Sequence, residues 1–226
     1  AAIGLQKGKP FKPDARMKKI LTDAVAVANA TARSIAFRPR MENTYLFEGK
    51  QWYTGFIGKD YQWLLDKGEG GRNMDARTLF FYLATVNTPA MALEIPGVGS
   101  NYALASADNN ADILYGDKNY KMTIPANVPA KDFWSVVVYD PQTRSELQIP
   151  GGSDYPSKNN KIDKLVYNKD DSVTLYFGPK PPKNAPKANW TETVPKKAWF
   201  VLLRLYGPLQ PWFDKTWQPS DFELVK

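Results

Sequence analysis

Tyr139, Asp140, Arg144 and Glu146 crowd around Asp140-Pro141-Gln142-Thr143, where Pro at the second position suits a tight turn joining two strands. Two carboxylates in different surroundings can divide the duties of general acid and general base. Asp140 and Glu146, with Arg144 and Tyr139 beside them, are therefore the candidates for catalysis. The commoner use of such charges is an ion pair that fixes a hairpin. Arg144 and Glu146 share a strand face, and Asp140 is within reach of Arg144 across the turn. A second candidate is Arg204, inside the run AWFVLLRLYGPLQPWFDKTW at 198–217. The aromatic and branched residues before Gly207-Pro208 read as a core strand. Phe200, Leu202, Arg204 and Tyr206 fall on one face, and Trp199, Val201, Leu203 and Leu205 on the other. A guanidinium among apolar neighbours needs a carboxylate, carbonyls or a ligand. Snorkelling at a sheet edge or pairing with an internal acid is the ordinary outcome, and a ligand contact the functional one. The aromatic and glycine-rich stretch 40–74 supplies a third set, with Trp52, Tyr53, Tyr61 and Trp63 as stacking surfaces for a sugar or planar ligand. The same residues would equally pin down a long connection.

Composition removes many alternatives. The chain has no cysteine and no histidine, so thiol nucleophiles, disulfides, Ser-His-Asp triads and imidazole zinc sites are all excluded. Catalysis within these 226 residues would fall to carboxylates, Tyr, Lys or Arg. The 30 Lys and Arg exceed the 23 Asp and Glu to give a net charge of +7, which favours acidic partners. The lysines are scattered, with short clusters at Lys7–Lys12, Lys158–Lys164 and Lys180–Lys187. They lack the interleaved aromatics of a nucleic-acid surface, so no specific nucleic acid is expected. Asp108-Asn109-Asn110-Ala111-Asp112 opens like a calcium loop, but Ile113 stands where the sharp turn needs Gly and Asn119 where the closing Glu belongs. No metal site and no cofactor are expected. Asn189-Trp190-Thr191 fits a glycosylation sequon, a pattern common by chance.

These residues need elements to position them. A helix is signalled from Pro13-Asp14 to about Arg38-Pro39, with Met17, Ile20, Leu21, Ala24, Ala28, Ala32 and Ile35 as a core-packing stripe. Tyr61 to Asp66 is expected as a short helix. A further helix is expected over Asp75 to about Asn87, buried through Leu79, Tyr82, Leu83 and Val86 and stopped by Thr88-Pro89. The period then changes to two. Asn101–Ala107, Asn119–Ile124, Phe133–Tyr139, Arg144–Ile149, Val173–Phe177, Ala198–Tyr206 and Phe222–Val225 read as strands, separated by turn chemistry that includes Gly151-Gly152. Pro211 to Lys215 predicts one helical turn, with Trp212, Phe213 and Trp217 folding back on the sheet. An α+β fold follows: N-terminal helices and then an antiparallel β-sandwich, divided at 1–97 and 98–226. The apolar run Ala198–Leu203 is far short of the ~20 residues that span a bilayer. The opening Ala-Ala-Ile, without an initiator Met, reads as a processed, trimmed or partial chain.

The segments IPANVPAKDFWSVVVYDPQTRSELQ, SVTLYFGPKPP, NWTETVPKKAWFVLLRLYGPLQPWFDKTW and FELV resemble the C-terminal region of the bacterial proteins called domain of unknown function 1254/1214. PFKPDARMKKIL, WYTGFIGKDY, DARTLFFYLATVNTPAM and GVGSNY are similar to the segment preceding that region. The resemblance covers nearly the whole chain and implies a jelly-roll-like sandwich with helices packed beside it. It also implies a further N-terminal β domain in full-length members, and a periplasmic or extracellular location. It implies no activity.

Three readings follow. The first is a non-catalytic module binding a ligand or partner, in particular a glycan or other acidic ligand at the cell envelope. The second is a carboxylate-dependent hydrolase or lyase acting on carbohydrate, for which a carboxylate pair about 5–9 Å apart in an open cleft would speak. The third is the structural half of a larger two-domain protein, its apolar faces covered by an N-terminal domain of the same precursor; a homo-oligomer is a separate expectation. A large exposed apolar patch would favour that reading.

Overall fold

The computed structural model describes residues 3–150 and 155–225. Helix α1, Ala15–Phe37, begins where Asp14 accepts a 2.7 Å bond from the Met17 amide, satisfying one free N–H of the first turn. Its expected core-packing stripe is largely unburied. Ala36 is its one buried residue, Met17, Leu21, Ala32 and Ile35 are half-buried, and Ile20, Ala24 and Ala28 are exposed. The helix is held mainly near its C-terminal end, where Phe37 meets Tyr82 edge-on and Asn29 Oδ1 accepts from the Tyr82 hydroxyl. Helix α2, Met74–Leu83, is capped by Asn73 and buries Ala76, Leu79 and Phe80. It stops four residues earlier than the pattern implies, leaving Val86 63% exposed, and Thr88-Pro89 instead opens the one-turn α3, Pro89–Ala92. Tyr61 to Asp66 is not helical. The Asp60 carboxylate accepts from the Gln62 and Leu64 amides and folds the stretch into a side-chain-closed turn.

Among the described residues eight strands form two four-stranded sheets. The first has the order β1 (Ser100–Ala105), β7 (Phe200–Pro208), β3 (Ala130–Tyr139) and β4 (Ser157–Asn159), all antiparallel. The second has the order β6 (Trp190–Glu192), β5 (Val173–Gly178), β2 (Tyr120–Ile124) and β8 (Glu223–Leu224), in which β5 and β6 run parallel. The fold is thus α+β, with one parallel pair where only antiparallel ones were expected. Arg144–Ile149 is not a strand of the sheet. Arg144 adopts φ +60°, and after the single bridge Tyr139–Glu146 the chain leaves β3, whose edge is taken by β4. The expected turn at Gly151-Gly152 lies outside the described residues. Among the described residues no helix is long and apolar enough to cross a membrane.

Strand β7 supplies both hydrophobic layers. Val201, Leu203 and Leu205 point inward with Trp134, Val136 and Val138 of β3, against Met122, Ile124, Leu175 and Phe177 of the second sheet. The turn α4, Gln210–Phe213, returns Trp212 and Trp217 to this core as the sequence predicts. On the opposite face, Phe200 joins Leu104, Tyr53, Trp63, Leu79 and Phe80 in a second cluster beneath α2. Leu203→Ala, at a fully buried position, is expected to cost about 2–5 kcal/mol, and Leu202→Ala on the half-buried outer face clearly less. Urea denaturation of the two variants checks this order.

Candidate functional site

The outer face of the first sheet is covered only in part, and a cleft of about 610 Å³ lies where cover is incomplete, a volume typical of small-molecule sites. Its floor follows from strand alternation. Phe200, Leu202 and Arg204 come from β7, Leu104 and Tyr102 from β1, and Tyr139 from the end of β3. Phe80 and Leu83 of α2 and Met91 of α3 form one wall, and Tyr45 and Phe56 contribute from the preceding irregular segment. Four cations line the cleft: Lys59, Arg144, Arg204 and Lys215. Among the described residues the one lining carboxylate is Glu94, which Lys59 engages at 2.5 Å.

Arg204 has no such partner. Among the described residues no carboxylate oxygen lies within 4.0 Å of it, and its Nε is buried without a hydrogen-bond acceptor. Its guanidinium carbon lies 5.1 Å from the Tyr102 ring centroid and 5.5 Å from that of Tyr206, so aromatic faces stand in for a counter-charge. The expected pairing with an internal acid is therefore replaced by a cation presented to the cleft. Lys215 rests over Phe47 and Trp212, and burial pulls its ammonium pKa below the usual value while the Glu94 charge works against that shift. Burial raises the Tyr139 phenol, with Arg204 opposing it, and burial also raises Tyr45.

The structure brings Tyr139 and Arg144 to the cleft with Arg204, and not Asp140 or Glu146. Arg144 is engaged elsewhere, its Nη1 donating to the Gln142 carbonyl and its guanidinium over the Tyr82 ring at 4.6 Å. The Asp140 side chain does not reach Arg144. It is buried, accepting from Lys197 Nζ at 2.6 Å and from the Gln142 amide at 2.7 Å. Glu146 is exposed opposite Tyr139. The two carboxylates thus have no common cavity. Of the aromatic candidates, Trp52 is in the sandwich core with Nε1 donating to the Ser220 carbonyl. Tyr53 is buried beside Leu104, and Trp63 is buried and stacked on Phe56. Tyr61, half-buried, does not line the cleft, and its carbonyl accepts from Asn87. The stretch 40–74 does border the cleft, but through Tyr45, Phe56 and Lys59. Sequence reasoning missed Tyr102, Glu94 and Lys215. Only Tyr102 carried a signal, as an outward residue of a strand that pairs with the one bearing Arg204.

Other motifs resolve into structure. Asp108 closes its turn by accepting from the Asn110 and Asp112 amides. The Asn189 side chain is buried and bonded to the Val166 backbone and the Thr174 carbonyl, which denies it to a glycan. Among the described residues no group of three or more acidic side chains is placed to hold a metal ion.

Residues 99–210 match the family model described as "Protein of unknown function (DUF1214)". No curated protein matches the chain. Among solved structures, the VPA0106 protein from Vibrio parahaemolyticus is similar at 19% identity and a TM-score of 0.52, over 100% of this chain and 49% of that one. A putative uncharacterized protein from Burkholderia cenocepacia is similar at 15% identity and a TM-score of 0.41, over 99% of this chain and 46% of that one. The chain therefore spans about half the length of these structures. The first likeness supports the fold.

The Asp140–Lys197 pair yields a pH prediction. Burial alone raises the Asp140 carboxyl, but the Lys197 hydrogen bond and the backbone amides outweigh it and hold the pKa below the usual range. A depressed carboxylate stabilises the fold above its unfolded pKa of about 4 and loses that contribution as pH falls through the folded value. Lys197→Met is expected to cost about 1–2 kcal/mol at pH 7, less than a fully buried pair because Lys197 is half exposed. The gap to the parent protein should narrow as pH falls below about 4, which denaturant titration across pH measures.

Proposed function

With residues 99–210 belonging to the DUF1214 family, we propose that the chain is a non-catalytic module that binds an anionic small molecule in the cleft on the outer face of its first sheet. Arg204 carries this reading: a permanently charged, half-buried group that faces the cleft with no carboxylate among the described residues within 4.0 Å of it. An anion in the cleft would supply the counter-charge that no carboxylate among the described residues provides, through charge-assisted hydrogen bonds to the guanidinium. The binding reading is favoured over a carbohydrate hydrolase because two-carboxylate chemistry needs a pair at one cavity, and Glu94 is alone there and tied to Lys59. A jelly-roll-like description of the sandwich, a role at the cell envelope and association with a further domain of a longer chain belong to the same proposal. The first draws support from a chain that changes sheet between β1 and β2, β2 and β3, β4 and β5, β6 and β7, and β7 and β8.

Calorimetric titration with benzoate, hexanoate and galacturonate, each beside its uncharged counterpart, tests the reading. At least one anion is expected to bind roughly tenfold or more tightly than its neutral analogue, the range of a hydrogen bond to a charged group. Arg204→Met should erase that preference without shifting the urea midpoint by more than a small fraction. Anions that bind equally well to the variant, or no anion binding at all, would overturn it.

A further inference from the structure

We infer that the ligand of this cleft is an amphiphile, one anionic group on an unbranched apolar chain, an inference that rests on the anion-binding reading above. The floor is polarised along β7. Phe200 and Leu202 pair in register with Tyr139 of β3 and Leu104 of β1, and Arg204 pairs with Tyr102 of β1 and Ser135 of β3. Walking from Phe200 to Arg204 thus passes from an aromatic and aliphatic surface, with the Tyr139 phenol at its edge, to a guanidinium flanked by Tyr102 and Tyr206 over about 13 Å, roughly the length of an extended chain of ten carbons.

The cover over the floor is polarised in the same direction. Phe80 of α2 packs with Phe200 in one apolar cluster, and Leu83 packs against that cluster. At the other end Lys215 stacks on Trp212, whose Nε1 donates to Asn101 beside Tyr102, and Lys59 and Glu94 line the same cleft. Glu94 and Lys59 neutralise one another. Arg204 and Lys215 therefore remain as the cations available to a head group. Arg144, the remaining cation of the cleft, is spent on the Gln142 carbonyl and the Tyr82 ring.

This arrangement disfavours a sugar or a polyanion. Such ligands carry polar groups along their whole length and need hydrogen-bond partners along the whole site, because a buried polar group left unpaired is costly. The floor at Phe200, Leu202 and Leu104 offers none from its side chains. An acyl chain asks for nothing but apolar contact there, and its terminal anion meets the permanent charge of Arg204. The head-group chemistry is shared by a free fatty acid and by a lipid phosphate.

The test is calorimetric titration of the full chain with acetate, hexanoate, decanoate, decan-1-ol and decyl phosphate, all kept below micelle formation. Full burial of a methylene strengthens binding about fourfold, so decanoate should bind at least tenfold more tightly than hexanoate and far more tightly than acetate. Decan-1-ol should bind at least tenfold more weakly than decanoate. Tighter binding of decanoate than of decyl phosphate would support a fatty acid as the source, and the reverse order a lipid phosphate. Arg204→Met should bring decanoate and decan-1-ol to equal affinity. Leu202→Gln should flatten the dependence on chain length while keeping the preference for anions. The length series on the unaltered protein decides the matter even if a variant fails to fold. Affinity that is flat from acetate to decanoate, or equal for decanoate and decan-1-ol, overturns the amphiphile. Flat anion affinity that still depends on Arg204 leaves the anion-binding module standing, and absence of any anion binding removes both.

Discussion

The two-residue period of β7 governs the rest of the molecule. Its inward set fills the sandwich with side chains of essentially no exposure, and its outward set makes the cleft floor. A slip of one residue in its pairing with β1 or β3 would drive Arg204 into the sandwich core and lift Leu203 or Leu205 onto the open face. The cost of a desolvated, unpaired guanidinium makes that alternative prohibitive. The charge that marks the candidate site therefore also enforces the register of the strand that carries it.

Two cationic side chains show opposite uses of the same chemistry. Lys197 faces a carboxylate whose other hydrogen bonds are also satisfied, so Asp140 and Lys197 hold a turn and have nothing left to offer. Arg204 faces aromatic rings, which temper its field, and its Nε is left without an acceptor. The first arrangement is closed and the second is open.

Much of the framework was legible because its causes are local. Asp14 caps the helix it was expected to start, and the alternation from Trp199 to Tyr206 sorts into an inner and an outer face as read. The demand of Arg204 for a partner was legible too, but not the nature of the partner. The aromatic stretch was ambiguous because residue type does not distinguish core from cavity wall: Trp52 and Trp63 fill space, while Tyr45 and Phe56, drawn from the same stretch, border the cleft. Arg144–Ile149 has a strand-like pattern yet loses its place to Ser157–Asn159, a polar tripeptide with no strand signal. Competition for a sheet edge is a tertiary matter. Likewise the helical periodicity of α1 described its faces without saying whether anything would cover them.

Nearly half the chain lies between Tyr102 and Arg204, yet the two are register partners. Strand pairing at that separation comes late and carries a large loop-closure cost. No local fragment, neither the helices with β1 nor the hairpin after β3, contains the floor on its own. Recognition in this protein is consequently a readout of completed topology: the cleft comes into being when β7 inserts between β1 and β3. A ligand held there would bind the joined strands alone, and so would reinforce the most distant contacts in the fold by mass action.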